Sequence, residues 1–189
     1  MKIIKSFFKN EVIVFKNEIF KDVRGEFSET YNKKKLLKIG IKKNFVQDNY
    51  SFSKNKYTFR GVHLQLKPFS QAKLLRVVKG AIIDYVIDLR PKSNLFGKKI
   101  SIKLSENSNK NIYIPEGFGH AFLTLDKDTI INYKVSKYYS SKHSKTVMYN
   151  DKNIKINLNK NILKKLTLSK QDKNGLSLIE LKNNFKNKI

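Results

Sequence analysis

Three histidines and no cysteine leave a short list of side chains that could carry chemistry. His63 lies in Phe59-Arg60-Gly61-Val62-His63-Leu64-Gln65 and His120 in Ile114-Pro115-Glu116-Gly117-Phe118-Gly119-His120-Ala121-Phe122. His143 stands in Ser140-Ser141-Lys142-His143-Ser144-Lys145 and reads as a solvated loop residue without a role. An imidazole, with an ordinary pKa of about 6.5, suits proton transfer near neutrality. The absence of cysteine removes disulfide scaffolds, thiolate zinc sites, iron–sulfur clusters and thiol nucleophiles together. A lone strand histidine is more often structural than catalytic, so its company matters. Polar residues recur at strand parity: Gln47 with Asn49, His63 with Gln65, Gln71 with Lys73, whereas Arg60 has no parity match to His63. A small barrel filled only for stability would show apolar side chains on that face, so these pairs point to a lined pocket.

The elements that must hold these residues are mostly strands. Alternating and β-branched segments predict strands over Phe45–Phe52, Gln71–Val78, Ala81–Leu89, Lys99–Leu104, Asn111–Ile114 and Thr129–Val135. Turn residues separate them, among them Lys79-Gly80, Asn107-Ser108-Asn109 and Pro115-Glu116-Gly117. Short, regularly spaced strands favour an antiparallel sandwich or barrel over a doubly wound sheet. Asn32–Ile39 reads as a short helix, and Ser177 to Lys186 as another, with Leu178, Leu181 and Phe185 on one face. The expectation is one all-β domain over 1–189, with a core from about 12 to 150 and a Lys/Asn-rich extension, 151–189, packing on it.

The 189 residues carry 40 Lys+Arg against 15 Asp+Glu, a formal charge of +25. A nucleic-acid or anionic-surface binder is one reading of that surplus. Yet 36 of the cations are Lys, and Asn and Ile are also abundant, the pattern that A/T-rich codons impose on tolerant surface positions. A base reader needs guanidinium forks, and only Arg24, Arg60, Arg76 and Arg90 supply them. No nucleic-acid partner is therefore expected. Lys5, Lys9, Asn10 and Glu11 interrupt the apolar N-terminal stretch, and no run approaches a membrane span, so the chain reads as cytoplasmic with no membrane partner.

Several blocks, in order, resemble the dTDP-4-dehydrorhamnose 3,5-epimerase family. They are Phe20-Lys21-Asp22-Val23-Arg24-Gly25-Glu26-Phe27-Ser28-Glu29, Gln47-Asp48-Asn49, Phe59 to His63, Ser70-Gln71-Ala72-Lys73, Val86 to Arg90, Phe96-Gly97, Ile114 to Phe122, Tyr133-Lys134 with Tyr138-Tyr139, and Leu168 to Asp172. The resemblance implies a cupin-type jelly roll with short C-terminal helical segments, a homodimer, a nucleotide-sugar substrate, and catalysis with no metal or other cofactor. It further implies that His63 is the general base, Asp172 the carboxylate orienting it, Lys73 a cation near the 4-keto oxygen, and Tyr133 a proton donor on the opposite sugar face. Arg24, Glu29, Gln47, Asn49, Arg60 and His120 match nucleotide-sugar contacts, and Tyr139 the aromatic residue near the base. The chain departs from the family pattern at Leu64, where Tyr commonly follows the histidine, and around Ser144, where an acidic residue is expected.

Those residue types suit the chemistry. A proton beside a ketone is too weakly acidic for a base alone, so the enolate oxygen needs a fixed positive donor. Inversion also needs redelivery of the proton from the other face, which one base returning its own proton cannot achieve. The reading is therefore epimerisation of a dTDP-4-keto-6-deoxy-hexose at C3 and C5. The alternatives are inversion at C3 only, or a GDP- or CDP-linked sugar. More distant are a metal-dependent cupin using His63 and His120, and a nonenzymatic sugar- or nucleic-acid-binding module.

Overall fold

A computed structural model describes every residue from Met1 to Ile189. Its strands run β1 (Lys2–Phe7), β2 (Val12–Lys16), β3 (Phe20–Asp22), β4 (Gly25–Phe27), β5 (Gln47–Ser53), β6 (Phe59–Gln65), β7 (Lys73–Lys79), β8 (Ala81–Asp88), β9 (Lys99–Ser105), β10 (Lys110–Ile114), β11 (Phe118–Thr124), β12 (Thr129–Val135) and β13 (Ser144–Thr146). The helices are α1 (Lys33–Lys38), α2 (Lys160–Lys164), α3 (Lys170–Lys173) and α4 (Leu178–Phe185). One sheet has the order β1-β2-β10-β7-β12-β5 and faces a second of order β13-β6-β11-β8-β9, while β3 and β4 form a separate hairpin. All strand pairs are antiparallel. The chain passes from sheet to sheet at β5, β6, β7 and β8, and returns through β9 to β12, which is the jelly-roll winding expected for a cupin.

Three apolar layers hold this frame. Between the sheets lie Val77, Ile82, Val86, Leu104, Ile112, Phe122 and their neighbours. Outside the second sheet, Val62, Leu64, Ala121 and Leu123 pack against Leu178 and Leu181 of α4. Outside the first sheet, Ile13, Phe15 and Leu74 cover Leu36 of α1. The interior is not uniformly apolar. At one end the inward positions become Gln47 and Asn49 on β5, Lys73 on β7, His63 and Gln65 on β6, and Tyr133 on β12. The sandwich thus has an apolar half that stabilises it and a polar half that opens to solvent.

Most predicted elements form. Thr129–Val135 is a strand as expected, and Asn32 and Ser177 each cap a helix by accepting from a backbone N–H three residues on. Strands β6 and β11, which carry His63 and His120, lie outside the strands expected from alternation. Every residue of β11 is buried, so its two faces do not differ in polarity. Strand β6 breaks its own period: His120 pairs with His63 but Phe122 pairs with Arg60, two residues against three. This bulge brings Arg60 to the face of His63, which accounts for their parity mismatch. Gly61 permits it, for at φ +119° an added Cβ would lie 2.6 Å from the His120 carbonyl oxygen and the Ala121 Cβ.

Candidate active site

His63 is half-buried on the second sheet, and its Nε2 lies 2.6 Å from Oδ1 of Asp172, which is only 3% exposed. The carboxylate comes from 109 residues away in sequence. It is placed by a short helix held at both ends. Before α3, Thr167 forms a parallel bridge to Thr58, and after it Leu176 bridges to Val147. Ser169 Oγ accepts from the Asp172 N–H at 3.0 Å, and Gln171 Nε2 donates to Thr146 Oγ1 on β13. Gly175 lets the returning chain approach, since a Cβ there would stand 2.9 Å from Met148 N. In a Lys-rich tail this acid is thus a buried partner, not a surface ion.

The opposing sheet supplies Lys73 and Tyr133, which share a face because Val135 pairs with Lys73 and Tyr133 with Leu75. Lys73 is buried, and desolvation pulls its pKa down to about 8 against the opposing pull of Asp84. Burial raises the Tyr133 phenol, with the Arg60 cation acting the other way, so the group is held as a neutral donor. Behind His63, His120 Nε2 is bonded to Asp84 Oδ2 at 2.7 Å, with His120 6% exposed and Asp84 fully buried. Desolvation lowers the His120 pKa despite Asp84, and Lys73 and His63 add to the lowering. Asp84 Oδ1 has no hydrogen-bond partner. Lys73 thus stands at the cavity wall with the buried Asp84–His120 pair behind it, Asp84 favouring its charged form.

Gln47, Asn49, His63, Lys73, Tyr133, Tyr139 and Ser144 line one cavity of about 400 Å³. Leu64 also borders it, but its side chain belongs to the layer beneath α4, where leucine fills the space. Arg60 is not among the lining residues; it acts on Tyr133 from nearby, with its Nε and Nη2 bonded to Ser53 Oγ and the Phe52 carbonyl. Arg24 and Glu29 are not brought there by this chain. Arg24 sits in the exposed β3–β4 turn paired with Asp22, and Glu29 is paired with Lys35 near α1. Sequence reasoning missed Asp84, though an acid among Ile82, Ile83, Tyr85 and Val86 is a legible signal, since a buried carboxylate needs a partner. It also left His143 in solvent. The residue is half-buried, its Nδ1 2.8 Å from Ser140 Oγ and its ring 4.7 Å from that of Phe69. No group of three or more His, Asp or Glu stands close enough together to hold a metal ion.

The geometry has counterparts. The family model for dTDP-4-dehydrorhamnose 3,5-epimerase matches residues 9–180. The chain belongs to the dTDP-4-dehydrorhamnose 3,5-epimerase family. The dTDP-4-dehydrorhamnose 3,5-epimerase of Sinorhizobium fredii is 39% identical over 93% of this chain and 89% of its own. Among solved structures, the Bacillus anthracis epimerase with TDP and PPi bound superposes with a TM-score of 0.86 at 37% identity, covering 93% of this chain and 98% of that one. The Legionella pneumophila enzyme in complex with dTDP-4-keto-L-rhamnose reaches 0.89 at 30% identity, covering 97% and 96%. The 3'-monoepimerase ChmJ of Streptomyces bikiniensis, in complex with dTDP-quinovose, reaches 0.87 at 25% identity, covering 97% and 91%. This epimerase is an isomerase built on the same jelly roll, and His63 with Asp172 faces Lys73 and Tyr133 across its open end.

Proposed function

We propose that this epimerase inverts a dTDP-4-keto-6-deoxy-hexose at C3 and C5 by successive enolates. The observation that carries the reading is the His63–Asp172 pair on one wall with Lys73 and Tyr133 on the other. With Nε2–H donated to Asp172, Nδ1 of His63 keeps the lone pair that takes the carbon-bound proton, and the buried carboxylate stabilises the resulting imidazolium. Lys73 faces the developing enolate oxygen as an ammonium already desolvated before substrate arrives, so little solvent has to reorganise. Tyr133, on the other sheet from His63, returns a proton to the opposite sugar face. Arg60, a planar donor near Tyr133, suits the diphosphate. The dTDP-sugar bound to the Legionella relative supports this substrate class.

Inversion at C3 only is the second reading, favoured by the match to the 3'-monoepimerase ChmJ. Deuterium incorporation from D2O into dTDP-4-keto-6-deoxy-glucose separates the two: label at both carbons is expected, and label at C3 alone supports the second. With Tyr133→Phe, exchange is expected to continue while net inversion falls at least tenfold, because His63 can still remove and return a proton. If the wild-type protein exchanges neither proton, the assignment fails.

The same reading includes a cytoplasmic location, where nucleotide metabolism supplies the substrate, and a homodimer. Phe20, Val23 and Phe27 are exposed on the β3–β4 hairpin, and Tyr50, Phe52 and Val78 on the outer face of the first sheet. A second copy covering these apolar groups would also receive Arg24 and Glu29, which have no place in their own chain's cavity.

A further inference from the structure

The segment from Ser136 to Ser144 crosses the cavity mouth between the two sheets and carries Tyr138 and Tyr139, 66% and 61% exposed. Aromatic side chains so exposed are not held by packing, and between the Ser136 N–H bond to the Ala72 carbonyl and the 3-10 turn Ser141–His143 the stretch Lys137–Ser140 has no strand pairing. The main chain of that stretch is tied instead by three glutamine side chains from the cavity wall. Gln47 Oε1 accepts from the Tyr139 N–H at 3.0 Å, and Gln71 Nε2 donates to the Lys137 carbonyl at 2.8 Å. Gln65 does more. Its Oε1 accepts from the Ser140 N–H at 2.7 Å, while its Nε2 donates to the carbonyls of Phe69 at 2.7 Å and Tyr138 at 3.2 Å.

Gln65 is 6% exposed, so its amide has almost no water to fall back on. Both of its amide atoms are committed to the backbone, on either side of Tyr139. This takes a primary amide with glutamine's reach: asparagine carries the same group one methylene shorter, a carboxylate would face two carbonyls, and an aliphatic would leave buried peptide groups unpaired. We propose that Gln65 is a positioning residue that fixes Tyr139 at the mouth as a wall for the nucleobase, and so sets nucleotide affinity while proton transfer stays with His63. Resting on the nucleotide-sugar reading, the proposal adds to it the residue that sets the base subsite. It also changes the part expected of Gln47, whose amide is already bonded to Asn49 Oδ1 and to the Tyr139 N–H before any ligand arrives.

The test is a double-mutant cycle on Gln65→Met and Tyr139→Ala, read by dTDP binding and by KM and kcat for dTDP-4-keto-6-deoxy-glucose. Gln65→Met is expected to weaken dTDP roughly tenfold and raise KM by a similar factor, with a smaller change in kcat, as loss of two or three buried hydrogen bonds implies. In the Tyr139→Ala background the same change should have little further effect on dTDP. An undiminished effect there, or a loss confined to kcat with dTDP binding intact, overturns the proposal. Should Gln65→Met not fold, Gln71→Met carries the same test, with a smaller weakening of dTDP, again absent in the Tyr139→Ala background. Hydrogen exchange keeps this result separate from the functional reading. The Tyr139 and Ser140 amides are expected to exchange at least tenfold faster in Gln65→Met without ligand, whether or not the wild type binds dTDP. Unchanged exchange at both also overturns the proposal.

Discussion

At neutral pH Lys73 has to keep a charge that its surroundings oppose. Burial brings its pKa from the ordinary 10.5 to about 8, and Asp84 limits the fall. If the ammonium stabilises the enolate, kcat/KM should decline on the alkaline side with an apparent pKa near 8. Lys73→Met should abolish that limb along with most of the activity, as initial rates across pH would show. Stability moves the other way. Between about 8 and 10.5 the unfolded chain binds the proton that the folded chain has released, so this residue's contribution to stability rises with pH through that window. Denaturant titration at several pH values should show the rise in the wild type and lose it in Lys73→Met. His63 and Asp172 give a complementary test. His63→Asn is expected to cost ~10²–10⁴-fold in kcat, and Asp172→Asn on the order of 10²-fold, each with little effect on KM in steady-state assays. The histidine was legible from its neighbours. Nothing local about Asp172 marks it as buried, because what buries it lies 109 residues away.

The element that delivers Asp172 is too short to stand alone. Four-residue α3 depends on the bridges on either side of it and on α4, which lays Leu178 and Leu181 on the second sheet. Leu181→Ala should therefore cost roughly 2–5 kcal/mol, and its effect should be local first. On heating, activity is expected to vanish at a lower temperature than the far-ultraviolet signal of the strands, as the tail leaves while the barrel remains. Simultaneous loss of both would show that tail and barrel unfold as one unit. Sequence pattern identified α4 through its apolar face, and the structure adds its cap, Ser177. The pattern passed over β11 because that strand is buried on both sides, and over the bulge in β6 because the close approach of β11, which leaves no room for a Cβ at Gly61, is visible only in the fold.

Across the whole molecule, charge and assembly are separate matters. Most of the +25 lies on exposed lysines, whereas one cation, Lys73, lines the cavity, with Arg60 close enough to Tyr133 to act on its phenol. If Arg24 acts in a partner's site, mixing inactive Arg24→Ala and His63→Asn proteins after subunit exchange should restore up to about a quarter of wild-type activity, because half of the mixed dimers' sites are intact. Light scattering should report a mass near twice 22.1 kDa. A monomer at assay concentrations, or no rescue on mixing, would count against the shared site.

What the sequence determined by itself was set by short-range physics: strand alternation, the helical spacing of apolar residues, turn residues, and an ordered set of motifs that named the family. What only the tertiary structure decided came from contacts between distant segments. The burial of Asp172 against the His63 that the motifs already paired with it, the Asp84–His120 bond beside Lys73 and the glutamines holding Tyr139 in place each join residues from different elements. A local sequence window can show that a side chain is polar. Whether that polarity is spent on solvent, on the backbone or on a substrate depends on which strand the fold sets beside it.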